Sequence, residues 1–214
     1  MFNIIYIGIL YFTFFHFFKD IKLREYFTRI VSTINALQCI RLTYLTLQIR
    51  PIGNISDLYY VADEQFLDSL FLFSSYLFID GIFLFSDFQY NFSFLLSVLH
   101  HFVGSIGIYL IASNRMGYFL GFYFAMTELS TPLLNLSWVF RKKYLFLSFY
   151  VSFIFCRILT IPLLLVYLSN NSSSLYTLHP LHSFMSFYGS YTLIFLNVVW
   201  FLLITKKIVL KFYE

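Results

Sequence analysis

Residues 92–111, FSFLLSVLHHFVGSIGIYLI, run for twenty positions without an acidic residue, a lysine or an arginine. An α-helix needs about 20 mostly apolar residues to cross a hydrocarbon core about 30 Å thick. The chain carries seven such runs, near 2–18, 31–49, 66–86, 92–111, 117–140, 144–168 and 181–204. Inside a bilayer every backbone N–H and C=O must be bonded within the protein, which leaves helices or a closed barrel. A barrel would show alternating strands of about 10 residues, whereas these runs are continuous. The expectation is an all-α integral membrane protein, a polytopic bundle of about seven transmembrane helices. Composition agrees, since 60% hydrophobic against 11% charged residues leaves too little polar surface to cover a water-soluble globule of 214 residues.

The basic residues orient the bundle, because positively charged loops are retained on the cytoplasmic side. With a lumenal amino terminus, Lys19, Lys22, Arg24, Arg29, Arg141, Lys142, Lys143, Lys206, Lys207 and Lys211 are all cytoplasmic. Only Arg50 and Arg115 fall opposite, and Arg41 and Arg157 lie within spans. The acidic stretch with Asp57, Asp63, Glu64 and Asp68 is then lumenal, as are acceptor sequons at Asn54, Asn170 and Asn171. MFNIIYIGILYFTFFHFFKD has no cation before its apolar run and no small-residue cleavage pattern after it, so it reads as a retained anchor. Residues 1–27 form this anchor helix and a basic cytoplasmic loop, 28–209 the main domain and 210–214 a cytoplasmic tail. Cys39 and Cys156 sit in apolar runs, where free cysteine packs as a small hydrophobe, and no disulfide is expected. The net charge of +4 comes from short membrane flanks suited to anionic headgroups, with no surface for nucleic acid.

Ionisable side chains within a bilayer are costly, by roughly 2.5–3.5 kcal/mol at mid-membrane, so they face the bundle interior and take partners. Five places qualify: Asn35 with Gln38 and Arg41, Asp80, His100 with His101, Glu128 with Thr131 and Asn135, and Arg157. Adjacent histidines project about 100° apart, which disfavours a shared metal ion, and no metal is expected. Ser97, His101 and Ser105 share a stripe, with Gly104 leaving room for a neighbouring helix. That spacing is compatible with packing histidines or with one imidazole turned to a cavity. Glu128, Thr131 and Asn135 fall on one helical face, and Pro132 frees the carbonyl of residue 128. This stripe reads either as interhelical glue or as cavity lining. Asp80 and Arg157 suit structural ion pairs, and snorkelling to the lumenal edge accounts for Arg41.

The segments TRIVSTINALQ, SSYLFID, LLSVLHHFVGSIG, TELSTPLLNLSW, CRILTIP and NVVWFLLITKKIV, in this order from about residue 28 to 209, resemble six motifs of the TLC-domain proteins, a multi-span membrane family that includes the ceramide synthases. The resemblance implies a TLC-domain fold over 28–209, an endoplasmic-reticulum or related membrane and a lipid-linked role. The ceramide-synthase branch carries a His-Asp-x-x-Asp group associated with acyl transfer from acyl-CoA to a sphingoid base. Thr127, Glu128, Leu129, Ser130 and Thr131 stand there instead, and Asn35 stands where the family pattern usually has His. The Glu-Leu-Ser-Thr-Pro version is similar to the branch associated with lipid homeostasis.

The leading expectation is a protein that binds lipid acyl chains in its bundle and influences membrane lipid homeostasis or trafficking. Asp80, Ser97, His101, Glu128, Thr131, Asn135 and Arg157 would line its cavity, membrane lipids would be its partners, and no cofactor is required. The alternative is a divergent ceramide-synthase-like N-acyltransferase with acyl-CoA as substrate, using His100, His101 and Glu128 as catalytic groups. A membrane cargo receptor or chaperone is the third reading, and a homo-oligomer stays open.

Overall fold

The computed structural model describes residues 8, 12, 21–49, 64–86, 92–115, 118–172 and 180–213. Apart from Gly8 and Phe12, the expected span 2–18 lies outside the described residues, as do Lys19, Arg50, Asn54, Asp57 and Asp63. The described chain forms helices α1 (Ile21–Ile49), α2 (Glu64–Ser86), α3 (Phe92–Ser113), α4 (Tyr118–Glu128), α5 (Thr131–Phe140), α6 (Lys143–Phe153), α7 (Ile161–Asn170), α8 (Pro180–Phe184) and α9 (Ser190–Tyr213). Short π-helical stretches, Ile154–Ile158 and Met185–Gly189, join α6 to α7 and α8 to α9. No strand occurs among the described residues, and the fold is all-α.

Four segments among the described residues are long and apolar enough to cross a membrane, Glu64–Phe85, Phe94–Ser113, Lys143–Asn170 and Pro180–Leu210. The chain is an integral membrane protein. The other expected spans differ for physical reasons. Asn35, Gln38 and Arg41 keep α1 less apolar, and Lys22, Arg24 and Arg29 lie within this helix. The run 117–140 is divided at Leu129 and Ser130, with Pro132 in the first turn of α5, where its missing N–H costs nothing. Outward faces are apolar. On α1, Ile30, Ile34, Leu37 and Tyr44 are exposed while Ala36, Cys39 and Leu42 are buried, the pattern of a helix with lipid on one side and protein on the other. Gln38 and Arg41 are exposed, and Asn35 is buried.

Helices α2 and α3 pack antiparallel through small residues. Ser74 and Ser105 each donate to the other's backbone carbonyl at 2.9 Å. A Cβ on Gly104 would lie 3.1 Å from Leu77, and one on Gly81 would lie 3.2 Å from the Cβ of His101. Ser105 is therefore spent on this seam. A core of Phe66, Leu70, Ile108, Phe119, Tyr123, Leu164, Tyr167 and Leu168 fills one end of the bundle. At that same end Asn170 is exposed, whereas Asn171 is buried and its amide donates to the Tyr167 carbonyl at 2.9 Å.

Candidate functional site: a polar cavity at the basic end

A cavity of about 910 Å³ occupies the other end. It is walled by the opening turns of α1, α3 and α6, the closing turns of α2 and α9, and the α4–α5 junction. Arg24, Arg29 and Lys207 sit among its lining residues, with Leu84, Phe94, Leu134, Phe146, Phe149, Phe153, Leu203 and Ile204 supplying apolar wall. Asp80, Ser97, His100, His101, Glu128, Thr131, Asn135 and Arg157 all line it, so ionisable groups from separate helices meet in one space.

Two local breaks position the polar groups. The Leu129–Ser130 turn closes α4 immediately after Glu128, and Thr131 in the first turn of α5 donates to Glu128 Oε2 at 2.9 Å. Pro162 has no N–H to offer the helix before it, and the backbone there loosens into π-form, with the Leu159 N–H reaching the Ile154 carbonyl at 2.9 Å. The Thr160 hydroxyl covers the Cys156 and Arg157 carbonyls at 3.0 and 3.2 Å, as membrane helices require of freed backbone groups. Arg157 sits in this stretch and is buried. Its guanidinium reaches Glu128 Oε1 at 3.4 Å, Ser130 Oγ at 3.2 Å and Asn197 Oδ1 at 3.3 Å, over the rings of Phe153 and Trp200.

The adjacent histidines take separate carboxylates. His100 Nε2 lies 3.5 Å from Glu128 Oε1, and its ring meets the edge of Trp200. His101 Nε2 lies 2.8 Å from Asp80 Oδ2, and its Nδ1 lies 2.7 Å from the Ser97 carbonyl. A carbonyl only accepts, so Nδ1 carries a proton and Nε2 shares a second with Asp80. His101 thus offers no free nitrogen. His100 Nδ1 is buried and has no hydrogen-bond partner among the described residues. No three His, Cys, Asp or Glu side chains among the described residues converge as metal donors.

Asn135, on the same helical face as Thr131, turns instead to α1. It donates to the Arg29 carbonyl and Thr33 hydroxyl at 3.1 and 2.9 Å and accepts from Arg29 Nη1 at 3.1 Å. Arg29 also covers Trp138 at 4.7 Å. The α1 and α5 motifs are therefore one structural joint.

The TLC-domain family model matches residues 25–206. The chain belongs to the TLC-domain family. No curated protein and no solved structure gives a significant match to it. The cavity lies wholly within the TLC domain apart from Arg24 and Lys207, which flank the matched span. Several lining residues had no expected place in the cavity, namely Tyr76, Trp200 and the arginines at 24 and 29. Ser130 and Trp200 stood inside recognised segments as neutral side chains. Arg24 was legible only as topological charge, whereas Arg29 and Tyr76 stood inside recognised segments. Asn197, which holds Arg157, stood inside a recognised segment without an expected contact, and Gly81, which admits His101, left no such signal.

Proposed function

We propose that this TLC-domain protein binds lipid acyl chains in its cavity and thereby contributes to membrane lipid homeostasis or trafficking. The reading includes an endoplasmic-reticulum location with the amino terminus lumenal, in accord with the gathering of Arg24, Arg141, Lys142, Lys143 and Lys207 at one end. The observation that carries it is the cavity itself. Its volume of about 910 Å³ lies within the range of about 300–1,000 Å³ typical of small-molecule sites. Its chemistry is that of an amphiphile site, with aromatic and aliphatic walls and a polar floor. The polar groups are largely spent on one another, and Glu128 alone receives Thr131 and Arg157 and faces His100. That arrangement suits holding a ligand better than turning one over.

The test is lipid analysis of purified protein. Mass spectrometry is expected to find lipid co-purifying in stoichiometric amount, reduced when Leu134→Trp narrows the cavity. Lipid no higher than in a detergent control would overturn the proposal.

One observation favours acyl transfer as a second reading. In His100, Nε2 faces a carboxylate while Nδ1 has no partner among the described residues, the arrangement of a base with its orienting group. Acyl-CoA would then be substrate, and the amine's proton would pass to Nδ1 as the new N–C bond forms and the C–S bond breaks. This reading requires acyl-CoA-dependent N-acylation of a sphingoid base that disappears in His100→Ala while the protein stays folded. Absence of product across a range of chain lengths removes it.

A further inference from the structure

A second cavity of about 230 Å³ adjoins the first, and Phe146 and Lys207 belong to the walls of both. Its lining includes Trp138, Arg141, Lys142 and Lys143 and contains no acidic side chain. Resting on the lipid-binding reading above, we propose that this side pocket holds a phosphate group of the amphiphile whose chain occupies the main cavity.

Three observations support it. First, none of Arg141, Lys142, Lys143 and Lys207 makes an ion pair among the described residues, whereas Arg29 and Arg157 each face a glutamate. Second, the backbone shapes the pocket. The chain turns at Arg141 in the left-handed region, φ 50° and ψ 30°, where its N–H bonds to the Ser137 carbonyl at 3.0 Å. That turn sets three consecutive cations beside Trp138 and across from Lys207. Third, the cations sit where the helix does not want them. Lys142 is the N-cap of α6 and makes no side-chain cap bond, Lys143 follows it, and the first turn holds no acidic residue. The amino-terminal end of a helix dipole is positive, so two lysines there cost stability that a bound anion restores. Cytoplasmic retention explains basic residues in this segment, but not their arrangement around an aromatic-walled pocket that shares Phe146 and Lys207 with a chain-sized cavity. A phosphate oxygen cluster matches this donor set.

The two tryptophans permit a direct test, because Trp138 borders the side pocket and Trp200 the main cavity. In a Trp138→Phe background, Trp200 fluorescence reports entry of a chain-brominated probe into the main cavity. The probes are phosphatidic acid and an acyl-CoA, which carry phosphate, and diacylglycerol, which does not. At least one phosphate-bearing probe is expected to half-quench Trp200 at a concentration about tenfold below diacylglycerol, and the one preferred identifies the source of the phosphate. Lys142→Ala/Lys143→Ala is expected to abolish that preference while diacylglycerol quenches as before. Lys206→Ala, a cation outside the pocket lining, is expected to leave it intact. Equal half-quenching by all three probes overturns the phosphate site and leaves chain binding standing. A preference weakened as much by Lys206→Ala as by the double substitution also overturns it, in favour of diffuse surface charge. Failure of every probe to quench saturably removes the lipid-binding reading and this proposal with it.

Discussion

The two ends of this bundle are built from many of the same helices and solve opposite problems. At one end Phe119 stacks on Tyr167 at 4.9 Å, and a Cβ on Gly121 would lie 3.1 Å from both Leu70 and Phe66, so that even a single methyl group would push these side chains by a few tenths of an ångström. At the other, the continuations of those helices part around about 910 Å³ lined by two histidines, three carboxylates and three arginines. In lipid, burying hydrocarbon against hydrocarbon supplies little drive, and close packing and interhelical hydrogen bonds must hold the helices together. The dry end uses the first and the polar end the second. Each end should therefore fail by its own mechanism. The largest effect is expected at the polar end from Glu128→Ala, which leaves the buried Arg157 guanidinium facing an empty position, at a cost of about 3–5 kcal/mol. Adding Arg157→Met should recover most of that loss, because the unpaired charge and not the missing contact is what destabilises. Thermal unfolding of the single and paired variants in detergent measures this. A paired variant no better than Glu128→Ala would mean that the network holds the helices through its hydrogen bonds.

At the dry end the corresponding failure is one of volume. Gly121→Leu is expected to cost about 1–3 kcal/mol by overpacking against Leu70 and Phe66. Leu134→Trp adds comparable bulk beside the cavity and should shift stability by less than about 0.5 kcal/mol. Comparison of their melting temperatures tests the contrast directly. Equal losses would show the cavity end to be packed as tightly as its opposite.

How much of this contrast was legible in the sequence depends on which physical signal each part leaves. Apolar runs declare helices because a bilayer permits nothing else, and α2 and α3 match their runs to within a few residues. The run 117–140 was harder. Pro132 announced a local departure, yet periodicity could not say that the helix would stop at Glu128 and restart at Thr131. The π-helical stretch around Arg157 left only Pro162 as a trace. Intramembrane cost pointed to Asp80, His100, His101, Glu128 and Arg157, and to Arg157 or a histidine as partner of Glu128, but not to which histidine takes which carboxylate. His101 takes Asp80 from α2 because Gly81 lets the helices approach, a pairing set by the absence of a side chain. Asn135 looked like a companion of Glu128 because the two share a helical face, but the break between α4 and α5 gave it to Arg29 and Thr33.

The His101–Asp80 pair distinguishes an ion pair from a neutral hydrogen bond within the polar end. Asp80→Leu leaves Nε2 facing an apolar group and is expected to cost about 1–3 kcal/mol. In Asp80→Asn the side-chain amide can still donate to a neutral Nε2, and the loss should stay below about 1 kcal/mol. Chemical denaturation of both variants decides the point. If Asn is as damaging as Leu, the carboxylate's charge is what holds the imidazole.

Among the ion pairs the smallest effect is expected at the far end, where Arg115 Nη2 meets Glu64 Oε1 at 2.5 Å and joins the start of α2 to the turn after α3. Both side chains are well exposed, 41% and 67%, so water and salt screen the attraction that burial preserves between Glu128 and Arg157. Glu64→Gln breaks this pair without disturbing the left-handed backbone of Arg115, φ 54°. It should cost less than about 1 kcal/mol at low ionic strength and nothing measurable at high salt. The penalty for Glu128→Ala should change far less between the two conditions, because both side chains of that pair are buried, at 8% and 9% exposure, and salt screens buried charges weakly. An equally salt-dependent Glu128→Ala penalty would place that pair in contact with bulk solvent and erase the electrostatic difference between the two ends.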